Sequence, residues 1–185
     1  MKKLILILGL TVTLCFSSTM EEAKYAYTKK DYEKAFKIYE NLASNGNPKA
    51  QFNLGFMYRD GIFVEKNYSK AMEWFQKSAE KGLAESENEI GCLYYDGKGF
   101  KSDPKRGVNW FIKSASKGYC IAEYNLAVQY EKGKYLTKNL SLASELYYSS
   151  CKGTNTYSLC ENGYKSACRD YKNLKEKGYI SDKEK

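Results

Sequence analysis

Serine and lysine are the residues whose spacing most invites chemistry. Ser-x-x-Lys occurs four times, as Ser78 with Lys81, Ser102 with Lys105, Ser114 with Lys117, and Ser149 with Lys152. On a helix this spacing sets an amine one turn from a hydroxyl, where it can help to remove the serine proton in acyl transfer. A plainer reading competes with it. A chain this rich in serine and lysine produces such pairs by chance, and three of the four fall at helix C-termini, where the helix dipole favours cations. The chain has no histidine. Ser-His-Asp and Cys-His pairs, histidine zinc sites and the usual neutral-pH proton shuttle are therefore excluded. Gly97-Lys-Gly99 imitates a phosphate loop, but no strand precedes it. No cofactor is expected.

The cysteines offer less than their number suggests. Cys92 and Cys120 fall eight repeat positions apart, about 12 Å along parallel helices, too far for a disulfide. Cys92 then reads as a small buried apolar residue. Cys151, Cys160 and Cys168 lack any C-x2-C spacing, and no metal site is expected from them.

These residues sit on a scaffold that repeats. A shift of 36 residues superimposes Leu54, Ile90 and Leu126, then Tyr58, Tyr94 and Tyr130, and then Gly61, Gly97 and Gly133. Trp74 falls on Trp110, and Gly46 on Gly82 and Gly118. Each unit reads as a helix pair. In helix A, Ala50, Leu54 and Tyr58 recur on one face, with Gly55 allowing close helix approach. A loop around Gly61 follows, and Asn67, Asp103 and Asn139 then fall at N-cap positions. Helix B carries Ala71, Trp74, Phe75 and Ala79 on its apolar face. At this period the tryptophans and tyrosines read as core, not as a stacking site.

The expected organisation is a segment at 1–17, a shorter helix pair at 18–46, and units at 47–82, 83–118 and 119–153. An insertion with a C-terminal helix at 154–180 and a charged tail at 181–185 complete it. The first segment has the form of a secretory signal, with basic Lys2 and Lys3 before an apolar run from Leu4 to Leu14. Cleavage after Ser17 leaves no transmembrane segment in the mature chain. Acylation of Cys15 is a weaker alternative, because Leu14 is bulky where a small residue is expected. Losing those two lysines takes the net charge from +8 to +6. An exported basic chain, periplasmic or extracellular, meets anionic envelopes or acidic partners. Its lysines are spread out and not interleaved with aromatics, so nucleic acid is not an expected partner.

The pattern Ala50-x3-Leu54-Gly55-x2-Tyr58-x2-Gly61, followed by Lys70-Ala71-x2-Trp74-x2-Lys77 and Gly82, resembles the Sel-one-like repeat (SLR), a relative of the tetratricopeptide repeat. The resemblance implies an all-α solenoid of about four helix pairs plus a capping helix, acting as a binding scaffold. The leader and cysteines further resemble the exported Helicobacter cysteine-rich proteins, which are described as penicillin-binding proteins and β-lactamases. That second resemblance implies a Cys151–Cys168 disulfide. It also implies an alternative function, a hydrolase of β-lactam amide bonds. Two bridges usual in that family are replaced here by Ala79 with Glu87 and by Ala115 with Glu123, and the Ser-Asp-Asn and Lys-Thr-Gly elements are missing. Binding of a protein, a peptide or a peptidoglycan-like fragment is the expected function.

Helical angles of about 100° per residue suggest where a ligand would lie. One polar stripe carries Asn53, Glu89 and Asn125, bordered by Met57, Leu93 and Gln129. Side-chain amides at one position of successive helices suit an extended peptide backbone. Phe52, Cys92, Tyr124 and Val128 lie on another, apolar side, which is expected to pack against the neighbouring repeat.

Overall fold

Alternating apolar faces and glycine stops fold into consecutive antiparallel helices. The computed structural model describes residues 19–152 and 165–179, the side chains of Cys151 and Lys152 excepted. The expected leader, most of the insertion and the charged tail lie outside those residues. The described helices are α1 (Met20–Thr28), α2 (Tyr32–Ser44), α3 (Pro48–Asp60), α4 (Tyr68–Glu80), α5 (Ala84–Asp96), α6 (Pro104–Ala115), α7 (Cys120–Lys132), α8 (Leu140–Lys152) and α9 (Lys165–Glu176). Each packs chiefly on the helix before and the helix after it. That nearest-neighbour packing, with no strand among the described residues, makes the fold an all-α solenoid. No helix among them is long and apolar enough to cross a membrane.

The expected caps form. Asn67 and Asp103 accept from the backbone N–H groups of Lys70 and Arg106, at 2.9 and 3.0 Å. Asn139 accepts from that of Leu142 at 3.0 Å. Gly61, Gly97 and Gly133 end α3, α5 and α7 in the left-handed conformation that other residues resist. Within a hairpin the helices approach closely. A Cβ on Gly55 would stand 2.6 Å from the Phe75 ring, and one on Gly91 would stand 2.7 Å from Phe111. Packing around these contacts buries Leu54, Phe75, Ile90 and Leu93 almost fully. Trp74 and Trp110 are only half-buried on the edges of this core, where Lys77 and Lys113 stack on their rings at 4.3 and 4.8 Å.

A serine pin also repeats. Ser78, Ser114 and Ser150, near the ends of successive B helices, donate to the carbonyls of Pro48, Ala84 and Cys120 at 2.8, 2.6 and 2.8 Å. Each bond ties the end of helix B to the start of helix A in its own hairpin. These serines recur at the 36-residue period of the chain.

Candidate functional site

The hydroxyls of the Ser-x-x-Lys serines are bonded to other acceptors, and the Lys152 side chain lies outside the described residues. Ser78 and Ser114 are fully buried and act as pins. Ser102 donates to the Tyr95 carbonyl at 2.8 Å, and Ser149 donates to Glu123 Oε2 at 3.0 Å. Lys117 is committed to Glu87 Oε1 at 2.8 Å and to the Gly82 carbonyl at 3.0 Å.

The predicted polar stripe fares better, because α3, α5 and α7 bring its members to one side of the stack. A cavity of about 410 Å³ is lined by Arg59, Asp60, Glu89, Leu93 and Asn125, among others. A second, of about 280 Å³, is lined by Tyr95, Phe111, Tyr124, Val128 and Gln129. Both cavities share Cys92, Asp96 and Asn125, so they form one groove across successive A helices. Asn53 and Met57 line neither.

Leu93 and Gln129 line the groove although only 1% and 4% exposed, whereas Met57, 0% exposed, lines neither cavity and belongs to the core around α2 and α3. Cys92, Tyr124 and Val128 also line the groove, and Tyr124 and Val128 pack against the cluster that contains Ala167 and Leu174 of α9.

The polar groups of the groove are stitched together across repeats. Arg59 pairs with Glu89 of the next hairpin and holds Asp60 through two bonds of 2.8 and 2.9 Å. That guanidinium holds the Asp60 carboxyl below its usual range. Burial raises Glu89 above the usual carboxylate range, with Arg59 opposing the shift. Asn125 donates to Asn88 Oδ1 at 2.9 Å, and the Tyr95 hydroxyl reaches Gln129 Oε1 at 3.4 Å. The Asn125 amide is thus already ordered by its neighbour, while its carbonyl makes no bond among the described residues. Arg59 and Asn88 escaped the sequence reading, since their roles depend on partners 30 and 37 residues away.

Cys92 is a free thiol, as expected, and burial pushes it up to about 12. Cys120 and Cys168 are both disulfide-bonded. The Cys151–Cys168 pairing involves a side chain outside the described residues. No metal-binding group of His, Cys, Asp and Glu occurs among the described residues.

The Sel1 repeat matches the chain four times, over 24–47, 48–83, 84–119 and 120–155. The fold is similar to that of a Sel1 repeat protein from Oxalobacter formigenes, with 27% identity and a TM-score of 0.74, covering 86% of this chain and 62% of that one. It is also similar to c5321, a protective antigen of uropathogenic Escherichia coli with an SLR fold. There the identity is 25% and the TM-score 0.70, covering 83% of this chain and 32% of that one. The chain therefore spans less than two thirds of either structure. No curated protein matches it.

Proposed function

The chain belongs to the Sel1 repeat family, and on that premise we propose that it is an exported binding module whose groove holds a protein or peptide partner. Repeats of this class offer an extended surface on which a partner can lie, and generally serve protein–protein interaction. One observation carries the reading. The two cavities joined through Cys92, Asp96 and Asn125 make a continuous channel with an apolar floor and ordered polar edges. That mixture suits a polypeptide, whose backbone needs hydrogen-bond partners and whose side chains need apolar contact. A peptidoglycan-like fragment, which also carries peptide groups, fits the same chemistry. Export is supported by the basic and apolar pattern of residues 1–17. The hydrolase alternative gains nothing from the serines, whose hydroxyls are committed to carbonyl or carboxylate acceptors.

Selection of a random peptide library on the mature chain tests this reading. Selected peptides are expected to lose about 1–2 kcal/mol of affinity on Asn125→Ala, which removes both the free carbonyl and the ordered amide. Exposed Lys105→Ala on α6 should leave affinity unchanged. Equal affinity for wild type and Asn125→Ala would move the site away from this groove.

A further inference from the structure

The groove changes sign along its length. The last residue of each A helix is Asp60 in α3, Asp96 in α5 and Lys132 in α7. The two aspartates are neutralised locally, Asp60 by Arg59 and Asp96 by Lys98 at 2.8 Å. Lys132 forms no ion pair among the described residues, although Glu131 lines the same cavities. Beyond Asn125 the channel continues into a cavity of about 240 Å³ that shares Tyr124, Val128 and Lys132 with the one before it. It then enters a terminal cavity of about 410 Å³, where Lys138 joins Lys132 and Lys177.

These three lysines form no ion pair among the described residues. The carboxylates nearest in the channel are already engaged. Glu131 accepts the Tyr147 hydroxyl at 2.7 Å, and Asp170 accepts from the Tyr124 hydroxyl at 3.1 Å and from Arg169 at 2.8 Å. Glu131, Leu140, Leu174 and Tyr179 supply the rest of the terminal wall. Three ammonium groups against the single carboxylate of Glu131 leave this partly apolar cavity net positive, and they repel one another. An anion brought among them removes that repulsion and gains charge-assisted hydrogen bonds.

We propose that this lysine-lined end seats the carboxylates of an acidic segment in the partner polypeptide, while the rest of that segment runs back along the groove past Asn125. The proposal rests on the binding-module reading and supplies the partner's chemistry and direction. Lys132, Lys138 and Lys177 are exposed, as Lys77 and Lys81 are, but only the first three line cavities that share residues with the groove past Asn125, and that continuity favours an extended polypeptide over an anionic membrane.

Fluorescence anisotropy of a fluorescein-labelled octaglutamate peptide against the full mature chain is the test. Lys132→Ala with Lys177→Ala is expected to weaken binding by about tenfold or more, consistent with losing two charge-assisted contacts. Lys77→Ala with Lys81→Ala removes the same charge and is expected to change it less than about twofold. Circular dichroism verifies the fold of each, and Lys132→Gln alone, expected to weaken binding several-fold, replaces the first pair if that pair does not fold. No binding to wild type, or equal losses in both pairs, overturns the proposal. Should the random library return neutral peptides that depend on Asn125 but ignore these lysines, the acidic-segment inference falls and the binding module stands. A library that returns no binder removes the module reading itself.

Discussion

The second and third hairpins place a glutamate at the same repeat position and surround it differently. Glu87 in α5 is fully buried, and its Oε1 receives Lys113 at 2.9 Å and Lys117 at 2.8 Å from the B helix and the turn after it. One period later Glu123 is 7% exposed, but the corresponding positions are Ser149 and Gly153. Among the described residues the Ser149 hydroxyl alone reaches it, at 3.0 Å, and burial raises its pKa above the usual carboxylate range. In the α3–α4 hairpin, which precedes these two, the position is Gln51, which donates to the Ala43 carbonyl at 3.1 Å. Among the described residues, the same buried site thus takes a neutral amide, a carboxylate paired with lysines, or a carboxylate bonded to a serine hydroxyl. What a repeat position does electrostatically is set by the helix opposite it.

Breaking the paired version should have the largest effect. Lys113→Ala with Lys117→Ala turns the second hairpin into an imitation of the third and strands a fully buried carboxylate. A loss of about 3–5 kcal/mol is expected in urea unfolding, largely restored by adding Glu87→Gln. An unchanged midpoint would mean that Glu87 is better hydrated than its burial indicates.

The third hairpin carries a disulfide at Cys120 instead of that ion network. Reduction is expected to cost about 2–4 kcal/mol, read as a lower melting temperature under a non-thiol reductant. Peptide mapping without reduction should find Cys92 alkylated and both Cys120 and Cys168 in bridges. The family resemblance proposes Cys151 as the partner of Cys168. Recovery of Cys151 joined to Cys120, whose carbonyl already meets the neighbouring Ser150, would replace that pairing.

A third contrast concerns helix approach. Gly91→Ala drives a methyl group against the Phe111 ring and should cost about 1–3 kcal/mol in urea unfolding. The equivalent residue of the third hairpin is already Ala127, fully buried opposite Tyr147. Ala127→Gly is therefore expected to cost only the helix-propensity difference, about 1 kcal/mol. Similar losses for Gly91→Ala and Ala127→Gly would remove the distinction.

The smallest effect sharpens the comparison through pH. Because the folded-state pKa of Glu123 is raised, its charged form opposes folding. The penalty is absent below the unfolded pKa of about 4.3 and grows as pH rises through the raised folded value. Glu123→Gln should therefore stabilise the chain by less than about 1 kcal/mol at neutral pH. The gain should vanish in melts near pH 4. A variant less stable than wild type at neutral pH would show that the Ser149 bond outweighs burial.

Much of the fold was legible because its signals are local. The recurrence of Leu54, Tyr58 and Gly61 fixes the period, and the caps at Asn67, Asp103 and Asn139 mark where each B helix begins. Gly55 and Gly91 announced the close approach that Phe75 and Phe111 fill. The site was half legible. Asn125 and Glu89 do reach the groove, but Met57 was misplaced and Arg59 missed.

The sequence alone determined that the chain is a stack of helix pairs, since period, turn glycines and cap residues are properties of one hairpin at a time. Tertiary structure decided which side chains line the groove and how its charges are paired. Arg59 meets Glu89, Asn88 meets Asn125, and Tyr124 meets Asp170 only because successive hairpins stack at a particular angle. A helix's own periodicity fixes the direction of its side chains, whereas the position of the next helix follows from how bulky side chains fit between them.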